Sequence, residues 1–93
     1  MKLAWSKRAW LDYLHWQEND RGMVDKINAL IKDAIRTPFS GLGKPEPLRG
    51  ELRGYWSRRI SGEHRLVYRL QGTSEQQVLE IAFCRYHYVR PEK

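Results

Sequence analysis

The hydrophobic pattern of this chain changes its period once, at a loop rich in glycine and proline. Up to Arg36 apolar residues recur at helical spacing, and from Tyr55 onward they alternate. Helices followed by a run of strands point to an α+β domain, because α/β folds interleave the two patterns. The junction, Phe39 to Gly50, holds Gly41, Gly43, Gly50, Pro45 and Pro47. A loop of that length in a chain of 93 residues is more often functional than idle.

Each element has a local cause. Lys2 to Trp5 forms a short strand, and Ser6 then caps a helix, with Trp5 and Trp10 at the spacing of a hydrophobic staple. Trp10, Tyr13 and Leu14 make a stripe at i, i+3 and i+4 and are expected in the core; that helix runs to about Glu18. Asn19 and Asp20 break and recap the chain. Val24, Ile27, Ile31 and Ile35 share a second helical face, with Met23, Leu30 and Ala34 beside them, while Lys26, Lys32, Asp33 and Arg36 cover the other side. Thr37-Pro38 ends this helix. Tyr55 to Ile60, Arg65 to Leu70 and Val78 to Arg85 read as strands, joined by a turn at Gly62 and a longer polar loop from Gln71 to Gln77. The expected order is β-α-α-β-β-β, with two helices packed on one face of a curled, mainly antiparallel sheet, in one domain over residues 1–88 and a short tail over 89–93.

Alternation divides the sheet. Leu66, Tyr68 and Leu70 should meet the helices, leaving Arg65, Val67 and Arg69 on the opposite face beside Arg58 or Arg59. The chain carries 17 Lys and Arg against 11 Asp and Glu, a net charge of +6. A basic patch on a rigid sheet suits a polyanion, though a solvated outer face fits the pattern equally well. No apolar run approaches the roughly 20 residues that span a bilayer, and Lys2, Lys7 and Arg8 interrupt any signal-peptide core. The expectation is a soluble, cytoplasmic protein without a membrane segment. Cys84 is the only cysteine, so no internal disulfide forms, and its apolar neighbours suggest a buried thiol. His15, His64 and His87 lack metal-ligand spacing, and neither a metal nor a cofactor is expected.

Three groups could carry chemistry. Glu46 lies in Lys44-Pro45-Glu46-Pro47, where two prolines stiffen the backbone around a carboxylate; alone, it also reads as an exposed loop residue. Arg65 opens a strand and could stabilise a phosphate as its charge grows; a cross-strand pair with Glu63 or Glu80 is the ordinary alternative. His87, between Tyr86 and Tyr88, can be acid or base near neutrality, and the flanking rings could stack on a nucleobase; packing is its plainer use. Straight-strand parity would put His87 with Ile81 and Phe83 toward the helices. A bend or bulge near Cys84 to Tyr86 would be needed to turn it outward.

Taken together, these segments resemble one family. Lys2-Leu3-Ala4-Trp5-Ser6, Thr37-Pro38-Phe39, Gly43-Lys44-Pro45-Glu46-Pro47-Leu48, Tyr55-Trp56-Ser57-Arg58-Arg59-Ile60, His64-Arg65-Leu66-Val67-Tyr68 and Cys84-Arg85-Tyr86-His87-Tyr88 occur in the order of the Txe/YoeB toxins of the RelE/ParE toxin–antitoxin superfamily. The resemblance, over Met1 to Tyr88, implies a RelE-like fold and a metal-free, ribosome-dependent endoribonuclease that cleaves translated messenger RNA. It puts the base on Glu46, the phosphate-stabilising arginine on Arg65 and the acid on His87. Arg49, Arg59 and Tyr88 match positions that hold RNA. The implied partners are a YefM/Axe-like antitoxin, the ribosome with its messenger and ribosomal RNA, and a second copy in a homodimer. Superfamily relatives that bind and inhibit DNA gyrase without acid–base residues supply the alternative function. Residues 89–93 continue past the point where many relatives end.

Overall fold

The computed structural model describes residues 1–87. Tyr88 and the tail 89–93 lie outside the described residues. The elements are β1 (Lys2–Trp5), α1 (Lys7–Asn19), α2 (Arg21–Arg36), β2 (Glu46–Pro47), β3 (Trp56–Arg59), β4 (Arg65–Thr73) and β5 (Gln76–Phe83), with a 3₁₀ turn at Gly50–Leu52. Both helix starts follow the capping rule: Ser6 Oγ accepts the Ala9 N–H, and the Asp20 carboxylate accepts that of Met23. Among the described residues, no helix is long and apolar enough to cross a membrane.

The α2 face that meets the sheet is Met23, Val24, Ile27, Leu30, Ile31 and Ala34, all buried. Ile35, expected with them, is exposed, and Trp10 keeps 46% of its surface. In α1 Ala9 and Trp16 reach the core, and Trp16 Nε1 donates to the Cys84 carbonyl at 2.9 Å. Trp5 and Trp10 do meet edge-to-face, 5.9 Å apart; Trp5 packs against the core cluster, while Trp10 stays outside it.

Among the described residues, five strands form one sheet in the order β1-β5-β4-β3-β2; β1 runs parallel to β5, and the other pairs are antiparallel. The α+β class and the one-sided placement of the helices match the expectation, with one strand more. The extra strand is β2, within the glycine–proline loop, where Glu46 lies opposite Ser57. Pro47 within it and Pro45 just before it lack N–H donors, so it can only be a short edge. The hairpin turn expected over Gln71 to Gln77 is shorter than expected: both strands continue into it, Gly72 pairs with Gln77 and Thr73 with Gln76. Gly72 makes this possible, because its φ of +92° and its close approach to the Gln76 carbonyl leave no room for a side chain.

A bulge in β5 decides which way the C-terminal segment faces. Val67 pairs with Phe83 and Tyr68 with Ile81, so Ala82 is the inserted residue. Its carbonyl accepts the Ser6 hydroxyl at 2.7 Å. Ile81 stays with the helix-side core, while Phe83 packs with Leu48 and Val67 on the other face. The straight-strand parity therefore fails, and it fails earlier in the chain than Cys84 to Tyr86.

The loop before β2 hangs on a buried ion pair. Arg58 is fully buried on the helix side, opposite Leu66, and its Nη1 donates to Asp33 Oδ2 at 2.7 Å. Its Nη2 donates to the Thr37 and Ser40 carbonyls, Nη1 also to that of Leu42, and Nε to the Tyr68 hydroxyl, which in turn donates to Pro38. Asp33, expected on the solvent side of its helix, is buried instead and also accepts the Leu42 N–H and Arg36. Gly41, at φ +112°, lies so close that an added Cβ would collide with Asp33 Oδ2. Gly41→Ala should cost about 1–3 kcal/mol through backbone strain and this clash, read as a lower midpoint in urea unfolding.

Candidate active site

Register places three of the predicted residues on one face of the sheet. Glu46 lies opposite Ser57, Arg59 follows two residues later on the same strand, and Arg59 is paired with Arg65. Side chains two apart or directly opposite share a face, so Glu46, Arg59 and Arg65 all project away from the helices. Their Cα atoms span roughly 12 Å at ordinary strand spacing, a gap that long side chains close around a phosphate-sized group. The choice left open between Arg58 and Arg59 is settled: Arg58 is buried beneath, and Arg59 is exposed.

The same face is half covered. Leu48, Leu52 and Tyr55 from the segment after β2 lie over Val67 and Phe83, forming a second small apolar cluster. Val67 is thus buried, and the open part of the face is the end that carries the exposed Arg59, beside the buried Arg65. Beyond the cover, Arg69 stacks on Tyr55 at 5.0 Å and pairs with Glu80 at 2.6 Å. Glu80 thus takes Arg69 as its partner and not Arg65.

Arg65 keeps only 9% of its surface. Its Nη1 donates to the Ser61 and His64 carbonyls at 2.7 and 3.0 Å. These bonds to the β3–β4 turn fix the guanidinium plane, and a fixed fork loses less entropy when it grips an oxyanion. The Arg65 N–H also donates to the Tyr86 carbonyl at 3.1 Å, tying the segment after β5 to the start of β4. Tyr86 has φ +70°, and this left-handed turn leads directly into His87.

His87 is exposed at its surface, yet its pKa is lowered from the ordinary 6.5. Loss of hydration is the largest cause, Arg65 and Arg59 add to it, and Glu46 opposes them. The imidazole therefore feels all three predicted partners at once. Cys84, two residues before Tyr86, is inert: burial, helped by the Asp12 carboxylate, pushes its thiol up to about 12. Arg49 is exposed at the start of the 3₁₀ turn, three residues beyond Glu46, and is not among the groups that shift His87. An open groove of about 690 Å³ reaches His87 and runs past Tyr86, His64 and Trp16.

The pattern of single residues did not reveal the Asp33–Arg58 pair or the His64 contact to Tyr86, 2.7 Å from Nδ1 to the backbone nitrogen. A carboxylate at Asp33, next to Leu30 and Ala34 on the helix wheel, was the available signal for the first.

Comparison with known proteins gives one answer. Residues 5–88 match the model of the YoeB-like toxins of bacterial type II toxin–antitoxin systems. Toxin YoeB of Escherichia coli K12 is 61% identical over 88 residues, 95% of this chain and 100% of that protein. A YoeB/ParE toxin structure from Agrobacterium tumefaciens has a TM-score of 0.90 at 59% identity, covering 95% of this chain and 100% of that one. The Staphylococcus aureus YoeB, solved as a dimer and in a heterotetrameric complex with YefM, superposes with TM-scores of 0.83 and 0.82 at 45% identity, covering 95% of this chain and 98% of that one. With its fold, its ordered motifs and near full-length identity in agreement, this chain belongs to the YoeB-like toxins of type II toxin–antitoxin systems.

Proposed function

We propose that this toxin is an endoribonuclease that cuts messenger RNA on the translating ribosome, in the cytoplasm, by acid–base catalysis without a metal. The observation that carries this reading is the register that sets Glu46, Arg59 and Arg65 on one face of the sheet, with the segment leading into His87 tied to Arg65 through the Tyr86 carbonyl.

The chemistry follows from the substrate. RNA brings its own nucleophile, the ribose 2′-hydroxyl, so no water need be activated. Glu46 takes the hydroxyl proton as the 2′-oxygen bonds to phosphorus. Arg65 and Arg59 stabilise the charge on the five-coordinate phosphorus, where fixed donors act most strongly. The bond to the 5′-oxygen then breaks, and His87 supplies its proton. The products are a 2′,3′-cyclic phosphate, which can hydrolyse to a 3′-phosphate, and a 5′-hydroxyl. DNA, lacking the 2′-hydroxyl, is no substrate. Arg49 and Tyr88 contribute to holding RNA, including ribosomal RNA. The gyrase-inhibiting alternative is not favoured, since it has no use for an acid–base set.

An acid must be protonated to act. With its pKa lowered, His87 of the free protein loses its proton below pH 6.5, so kcat/KM should fall as pH rises through a value under 6.5. A bound phosphate restores the proton's affinity, and the corresponding limb of kcat should lie at higher pH. The pH profile of cleavage on programmed ribosomes checks this.

The partners are an antitoxin and a second toxin copy, as in the S. aureus heterotetramer and dimer. An acidic, partly disordered antitoxin segment folding against Arg59 and Arg65 would block RNA, and its binding should weaken with salt. The direct test of function adds purified protein to a translating extract and maps the cuts. Ribosome-dependent cleavage of message is expected; intact message together with inhibited DNA supercoiling would overturn the reading.

A further inference from the structure

The turn that delivers His87 is held from both sides by backbone bonds. Tyr86 N–H donates to His64 Nδ1 at 2.7 Å, and the Tyr86 carbonyl accepts the Arg65 N–H at 3.1 Å. Tyr86 adopts φ +70°, a conformation disfavoured for a residue with a Cβ. Its ring keeps 54% of its surface, so side-chain burial contributes little to holding the turn. The His64 ring, by contrast, is well fixed. It packs edge-on against the buried Trp16 at 4.8 Å, and Trp16 is itself bonded to the Cys84 carbonyl. The acceptor atom is thus part of the core framework, while the donor belongs to the residue before the acid.

The geometry points to His64 as a positioning residue: its Nδ1 locks the left-handed turn at Tyr86, and that turn aims the His87 imidazole at Arg65. This deepens the nuclease reading and rests on it for the role of His87. His64 does not touch the reacting atoms. It acts as an acceptor, so the ring must present an unprotonated Nδ1 to Tyr86.

Three variants separate this from packing. In His64→Asn the amide oxygen, also one bond from Cγ, replaces Nδ1 as acceptor. His64→Gln fills more of the space beside Trp16 but carries its oxygen one atom too far, and His64→Ala has no acceptor. Two quantities are read in each folded variant. One is the NMR titration of His87, around which Arg65, Arg59 and Glu46 on the sheet and His15, Glu63 and Arg85 along the groove remain unaltered. The other is cleavage of messenger on programmed ribosomes at saturating toxin.

In the Gln and Ala variants the His87 titration should rise toward its ordinary value. The saturating cleavage rate should fall by about 10- to 100-fold, as small misplacements of catalytic groups do, while the half-saturating toxin concentration stays unchanged. The Asn variant should keep both near wild type. A packing role would rank Gln equal to or above Asn, and that result overturns the proposal. So does rapid hydrogen exchange of the Tyr86 amide in the wild-type protein, which needs no variant. If wild type leaves RNA intact while the titration still moves in the Gln variant, the nuclease reading falls and the positioning role stands. If wild type cuts and the Gln variant titrates unchanged, the positioning role falls alone.

Discussion

Glu46→Gln should lower the single-turnover rate of messenger cleavage by about 10²–10⁴-fold, the usual worth of a positioned proton acceptor or donor, with circular dichroism and melting unchanged. The amide matches the carboxylate in shape and cannot take the 2′-hydroxyl proton. Glu46 is exposed on a 2-residue edge strand, where substitutions seldom move stability by more than about 0.5 kcal/mol. His87→Gln should fall by a similar factor, because a glutamine has no proton to give the 5′-oxygen. The two losses should not add: base and acid serve one transition state, so the double variant should be far more active than the product of the single effects. RNA binding to the ribosome-bound toxin should survive in all three, because Arg59 and Arg65 remain.

The largest effect on stability is expected at Arg58, a residue that touches no substrate. Arg58→Leu should cost about 3–5 kcal/mol, the range for breaking a buried ion pair by removing one partner, enough to unfold many small domains outright. The loss is large because one guanidinium satisfies Asp33, the Tyr68 hydroxyl and three loop carbonyls at once. Urea unfolding should show it as a shifted midpoint. Where the variant still folds, the loop leading to Glu46 should be the first segment to exchange its amides. The pair also sets the acid limit of the fold. The Leu42 N–H, Arg58 and then Arg36 hold the Asp33 carboxyl down at about 2, against an ordinary 3.8. Its folded pKa is depressed, so its contribution is complete above pH 3.8 and disappears as pH falls from there through about 2. Arg58→Leu should make stability less dependent on pH across that window.

How far the sequence could be read depended on the kind of interaction. The helices, their caps and the alternation of β4 follow from local rules, and Ser6, Asp20 and the Leu66–Tyr68–Leu70 face lie where those rules put them. Glu46, Arg65 and His87 stand out as candidates only as a set, through the order of motifs around them. What escaped were features that depend on two distant segments. The bulge at Ala82 is stabilised by Ser6, 76 positions away along the chain, and no pattern within β5 announces it. Asp33 reads as a surface residue until Arg58 is placed opposite. The strand ends around Gly72 read as part of the turn because their residues are polar, and only pairing across the turn makes them strands. Local period decides the elements, while long-range polar partners decide where the side chains of the site point.

The central claim is tested most directly by one atom of the substrate. Programmed ribosomes carry either an all-ribose message or the same message with a single 2′-deoxy nucleotide immediately 5′ of the cleaved bond, and excess toxin is added to each. The account predicts that the all-ribose message is cut to a 2′,3′-cyclic phosphate end and that the deoxy message stays whole at that bond. Cleavage of the deoxy message at the same bond and rate would mean that the ribose hydroxyl is not the nucleophile, and would contradict the roles given to Glu46 and His87.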